Sequence, residues 1–141
     1  MQSVVIVGAE EPLGKRVLEL IGSHRDEFMV DGLVSQGSQP RELAELVWEF
    51  TPLLVGIADE YAEGAFRDQL EDIALDKGMV DWELPEFDVV AGEGAAERVA
   101  ALGCDVLVDA AAGRLRYRDG TVVEAPGADQ LLAMLAYRPG S

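Results

Sequence analysis

Apolar residues fall along this chain in two alternating kinds of run. Val4-Val5-Ile6-Val7, Phe28-Met29-Val30 with Gly32-Leu33-Val34, Leu53-Leu54-Val55-Gly56-Ile57, Val89-Val90-Ala91 and Val106-Leu107-Val108 are short and nearly unbroken. Such runs suit strands covered on both faces. Asp31 breaks the pattern of the second. Between the runs, apolar residues recur at helical spacing. Leu13, Val17, Leu18, Leu20 and Ile21 form one stripe, Leu43, Leu46, Val47 and Phe50 a second, Phe66, Leu70 and Ile73 a third. Pro12 and Pro40 suit first helical turns, where a missing N–H costs nothing. Asp59 suits the N-cap of the third helix, which should run to about Ala74. A further helix is expected over Ala95 to Leu102. Residues 76–87 have no clear period, and Trp82 and Phe87 are expected to tuck against a sheet edge.

Alternating strands and helices predict an α/β fold, a doubly wound and mainly parallel sheet. The expected strand order, counting along the chain, is 3-2-1-4-5. After Gly113 the pattern changes. Arg114 to Arg118 and Thr121 to Glu124 flank Asp119-Gly120, a two-residue hairpin turn signal. A last helix is expected over Ala128 to Tyr137. Residues 1–141 read as one Rossmann-like domain with a C-terminal β-hairpin and helix.

Composition narrows the function classes. The net charge is −16, with Lys15 and Lys77 the only lysines. That sign repels nucleic acid and anionic membrane, and it opposes a ligand with several phosphates. No apolar run approaches the roughly 18 residues of a membrane span. The start of the chain lacks a signal-peptide pattern, and the lone Cys104 permits no internal disulfide. The expected location is the cytoplasm.

The first loop carries the candidate chemistry. Ser3 to Lys15 reads strand, turn, helix, with Gly8 ending the strand and Gly14 letting the helix approach it. This is the frame of a dinucleotide-binding fold. The middle glycine of that fingerprint is replaced by Glu11, with Glu10 beside it and Pro12 after.

Several short pieces, in order, are similar to the NADPH-binding domain of 1-deoxy-D-xylulose 5-phosphate reductoisomerase, an enzyme of isoprenoid synthesis. These are His24-Arg25-Asp26-Glu27-Phe28 leading into Val30-Asp31-Gly32-Leu33, Gly37-Ser38-Gln39 with Glu42-Leu43-Ala44-Glu45, Ala58-Asp59-Glu60, Gly92-Glu93-Gly94-Ala95, and Asp105-Val106-Leu107-Val108 with Gly113. The resemblance runs over about 3–113, and 114–141 diverges. It implies cofactor-binding positions at Gly8, Gly14, Gly37, Ser38, Gln39, Gly92, Glu93, Gly94 and Gly113. The family's Gly-Ser-Thr-Gly-Ser-Ile-Gly loop is here Gly8-Ala9-Glu10-Glu11-Pro12-Leu13-Gly14. The family's Asn-Lys-Glu run and its metal- and substrate-holding domain have no counterpart in these residues.

Three readings follow. The first is a non-catalytic, stand-alone homologue of the cofactor domain, with no cofactor expected, acting through an unknown protein partner or as a homo-oligomer. The second is an NADP(H)-binding subunit of a related oxidoreductase. The third is a binder of another small ligand at the strand C-terminal ends, with Glu10 and Glu11 facing a cationic or hydroxylated group. No catalytic residue and no metal ligand is expected. His24 reads as a helix-end residue, Cys104 as a packed thiol, and Asp109 as a strand-end residue open to a binding or a turn role. Arg114, Arg116 and Arg118 share one strand face, either as a cationic ridge for a partner or paired with the protein's own acids.

Overall fold

The computed structural model describes residues 1–78 and 84–139. Trp82 lies outside them. Elements follow the alternation: β1 (Gln2–Val7), α1 (Pro12–Gly22), β2 (Phe28–Ser35), α2 (Pro40–Phe50), β3 (Leu54–Ile57), α3 (Glu63–Asp76), β4 (Asp88–Ala91), α4 (Ala95–Ala100), β5 (Val106–Asp109), β6 (Arg114–Tyr117), β7 (Val122–Glu124) and α5 (Ala128–Ala136). Pro12 and Pro40 open α1 and α2 as expected. Asp59 caps a single 3-10 turn, Glu60–Ala62, ahead of α3, its carboxylate accepting the Tyr61 N–H at 3.0 Å. Phe87 packs edge-on to Phe66 of α3, ring centres 5.9 Å apart.

Among the described residues the sheet has seven strands, in the order β4-β3-β2-β1-β5-β6-β7. The first five are parallel, and β6 and β7 are antiparallel. The expected placement of the fourth strand between β1 and β5 is therefore wrong. β4 lies outside β3, and the chain returns to β5 by a crossover through α4. Glycines make the crossover possible. A Cβ on Gly32 of β2 would lie 2.8 Å from Val99 of α4, and one on Gly56 of β3 would lie 2.9 Å from it. Both glycines let α4 lie flat across the sheet, the use of a strand glycine where another segment approaches closely.

Asp31 is an extra residue in the β1–β2 ladder: Val4 pairs with Val30, then Val5 with Gly32. This bulge turns Val30 and Leu33 to the same face, where they join Val4, Ile6, Val106, Val108 and Leu115 under α1 and α5. α2 and α3 continue that layer over Val55 and Ile57. On the other face, among the described residues, α4 lies over Val5, Val34 and Leu107.

The hairpin turn has three residues rather than two. Tyr117 and Thr121 close it, with Gly120 at φ 91° and its N–H donating to the Tyr117 carbonyl at 2.9 Å. This is a type I turn followed by a left-handed glycine, which the Asp-Gly signal also satisfies. The C-terminal segment is stitched to β1 at the far end of the strands. The Gln2 amide donates to the carbonyls of Leu135 and Tyr137, each at 3.0 Å. The Tyr117 hydroxyl donates to the Met134 carbonyl at 2.6 Å. Asp105 accepts from the Ser3 N–H at 2.9 Å, the Ser3 hydroxyl at 3.2 Å and the Arg118 guanidinium at 3.2 Å.

Two carboxylates there titrate in opposite senses. Burial opposes the charged form of Asp105, but the Ser3 and Arg118 donors together outweigh it and hold its pKa below the ordinary value. Burial, and then the charge of Asp105, push Asp31 above it. A depressed acid stabilises the fold at pH above its unfolded pKa, and that contribution is lost as pH falls through the folded value. Asp105→Asn should cost about 1.5–3 kcal/mol at pH 7, the scale of charge-assisted hydrogen bonds. The gap to wild type should close as pH falls below the ordinary aspartate value of 3.8. Asp31→Asn should stabilise at pH 7, with its advantage fading on acidification. Urea unfolding across the acid range reads both.

Candidate functional site

The parallel strands end along one edge of the sheet, and the residues implied by the family resemblance lie there. Gly8, with φ 91°, turns the chain off β1. A Cβ on Gly14 would lie 2.3 Å from the Gly8 carbonyl oxygen, so no larger residue fits this helix-to-turn contact. Gly37, with φ 96°, sits in the turn after β2, where a Cβ would meet Ala62 at 2.7 Å and Ile57 at 2.8 Å. Ser38 and Gln39 are exposed beside it. Gly92, Glu93 and Gly94 follow β4, and Gly92 backs onto Glu60. Gly113 ends the turn after β5, with φ 70°. The order of strands brings the β1, β2 and β5 turns close. Gly92 to Gly94 stand at the far end, two strands away from β1's neighbour β2.

The loop between β1 and α1 directs three of its N–H groups to the protein's own carbonyls. The N–H groups of Gly8 and Ala9 both donate to the Val34 carbonyl at 2.9 Å, and Glu11 donates to the Gly8 carbonyl at 3.0 Å. Pro12 has no N–H. Glu11 is the N-cap residue of α1, but its side chain makes no capping hydrogen bond. Its Cγ instead covers Gly8, 3.1 Å from where a Cβ would stand. The Glu10 carboxylate reaches across to the β2 turn, where one oxygen accepts the Gln36 N–H at 3.3 Å. Its second oxygen is buried without a hydrogen-bond partner. Gln36, which takes up Glu10, had no mark in the sequence, because a backbone donor carries no residue signature.

The remaining candidates make local contacts. Asp109 accepts the Ala112 N–H at 3.2 Å within its own turn. The His24 ring meets the Leu20 carbonyl at 2.9 Å at the end of α1. Cys104 is half-buried, and burial pushes its thiol pKa up. Arg114 pairs with Glu124 at 3.4 Å and Arg118 with Asp105 at 3.2 Å, so two of the three ridge arginines serve the protein's own acids. Among the described residues, no group of three His, Cys, Asp or Glu is placed to hold a metal ion, and no helix is long and apolar enough to cross a membrane.

A parallel sheet whose glycine turns gather at the strand C-terminal edge defines the Rossmann-type class of dinucleotide-binding domains. Within it, a family model described as 1-deoxy-D-xylulose 5-phosphate reductoisomerase matches residues 4–116, and the chain belongs to that family. The reductoisomerase of Cutibacterium acnes is 30% identical over 133 residues, covering 94% of this chain and 32% of the relative. That of Chlorobium phaeovibrioides is 34% identical over 114 residues, covering 80% and 27%. The chain thus spans about a third or less of these relatives. The fold matches the Zymomonas mobilis reductoisomerase in complex with NADPH, with TM-score 0.61 and 21% identity over 75% of this chain and 25% of that one. It also matches a reductoisomerase in complex with NADPH, fosmidomycin and magnesium, with TM-score 0.55 and 22% identity over 76% and 24%.

The Gly8–Gly14 contact sets the position of the whole loop. Gly14→Ala should destabilise by about 1–3 kcal/mol or more, the scale of an overpacked core, because the clash is with backbone. Guanidinium unfolding checks this. A cost near zero would show that α1 can move off the strand.

Proposed function

We propose that this chain is a non-catalytic homologue of the reductoisomerase NADPH-binding domain, working without a dinucleotide and through association with another protein. What carries the reading is the Glu10 carboxylate, reaching from the first loop to the Gln36 N–H with its other oxygen buried. NADPH in the solved relatives supports the opposing reading of an NADP(H)-binding subunit.

The loop residues do not fit that cofactor. A pyrophosphate needs converging N–H donors and close backbone approach at a helix N-terminus. Here Gly8, Ala9 and Glu11 direct their N–H groups to the protein's own carbonyls, and Pro12 has none. Glu11 overhangs Gly8, filling space that a glycine at its position would leave. Glu10 brings a second carboxylate. Two unit charges about 4 Å apart at an effective dielectric near 20 repel by about 4 kcal/mol, roughly a thousandfold in affinity.

Calorimetric titration with NADPH and with NADP should therefore show no binding at ordinary cofactor concentrations. The variant Glu10→Thr, Glu11→Gly, Pro12→Ser should gain measurable affinity. Micromolar binding by the unaltered chain would overturn the reading and put the NADP(H)-binding subunit first.

A further inference from the structure

α1 and α2 pack on the same sheet face yet leave an open groove of about 520 Å³ between them. Leu18, Leu46 and Phe50 form its floor, and Glu19, Glu42 and Glu49 stand along it. Glu42 and Leu46 also wall a much smaller pocket, about 10 Å³, which Glu10 lines as well. The buried, unpaired oxygen of Glu10 adds negative charge there that water does not reach. An uncompensated buried carboxylate oxygen in a native protein needs an explanation.

The chain supplies too few cations to balance this site. Lys15 pairs with Glu42 at 3.3 Å, and Arg25 pairs with Glu49 at 3.5 Å while lying over the Phe50 ring. The Glu19 side chain is exposed and makes no ion pair among the described residues. Three carboxylates line the groove, Glu19, Glu42 and Glu49, with Glu10 in the small pocket beside it, and they face two cations in a chain of net charge −16. Arg25 over Phe50 shows the combination the groove accepts: a cation at the rim with apolar contact below.

We propose that the α1–α2 groove is the docking surface for a basic amphipathic segment of a partner protein, its apolar residues on Leu46 and Phe50 and its Lys or Arg residues against Glu19 and Glu49. This rests on the reading that the chain acts by association, and it names the surface and the chemistry of the partner. An amphipathic segment laid in an apolar groove is an established mode of recognition. A second copy of this chain is disfavoured as the occupant, because it brings the same net charge of −16 to an acidic groove.

The test is fluorescence anisotropy with a labelled amphipathic helix of Leu and Lys, and with its Leu and Glu counterpart. The chain should bind the first and not the second. Glu19→Lys with Glu49→Lys should weaken binding by about tenfold or more. Asp88→Lys with Glu97→Lys makes the same change in net charge on β4 and α4, away from the groove, and should leave affinity within about twofold. Thermal unfolding verifies that both double variants are folded. Equal weakening by the two double variants would overturn the proposal, since net charge alone would then explain binding. Binding of the acidic peptide would overturn it too. So would a dimer in sedimentation that only the Glu19→Lys, Glu49→Lys variant abolishes, which would make a second copy the occupant. NADPH titration of the same samples separates the two claims: cofactor binding would sink the cofactor-free reading and leave a groove-specific peptide result standing.

Discussion

The contact on which the rest of this protein depends is the seating of α1 on the end of β1. A side chain at Gly14 would run into the Gly8 carbonyl oxygen, so the helix can start directly over the strand only because Gly14 has none. That seating directs Leu13, Val17, Leu18 and Ile21 into the core with Val4 and Ile6. It also brings the loop of Gly8 to Pro12 against the turn after β2. The site and the core are therefore set by one close approach. The same geometry that serves a phosphate in dinucleotide-binding domains here positions Glu10 beside Gln36.

A second pair of glycines decides the topology. Gly32 and Gly56 clear the floor beneath Val99, so α4 can cross from the edge strand β4 to β5 although it is only six residues long. Bulkier residues at either position would lift α4 off the sheet and uncover Val5, Val34 and Leu107. The C-terminal hairpin then extends the sheet past β5, and Asp105, Gln2 and Tyr117 tie it and α5 to the first strand. These ties sit at the opposite end of the strands from the glycine turns. The C-terminal segment thus completes the core, and it also reaches the strand C-terminal edge, where the Ala125 N–H donates to the Gly113 carbonyl at 2.8 Å.

The charge distribution links fold to function. Carboxylates occupy the loop where the fold offers an anion site, and further acids line the groove that opens from it between α1 and α2. Most ion pairs here are solvent-exposed and contribute little to stability. On the proposed reading their weight falls on recognition, where a surface of one sign selects and steers a partner of the other.

Much of the fold was legible in the chain itself. The five apolar runs, the prolines opening α1 and α2, the Asp119-Gly120 turn and even the break at Asp31 each report a local constraint: which residues tolerate burial, which lack an N–H, which adopt positive φ. Family membership was legible for the same reason, because turn glycines are set by local geometry and kept their spacing. Strand order was not. Local pattern marks a strand but not its neighbour, and β4 lies outside β3 because α4 can cross two glycines that only the folded sheet brings under Val99. The fate of the loop carboxylates was also hidden. Glu10 and Glu11 were suited by type to cap their own helix, yet Glu10 goes to Gln36 and Glu11 lies over Gly8. That choice belongs to the tertiary structure, because the competing donor is a backbone N–H that comes within reach only when β2 pairs with β1 and the two turns meet.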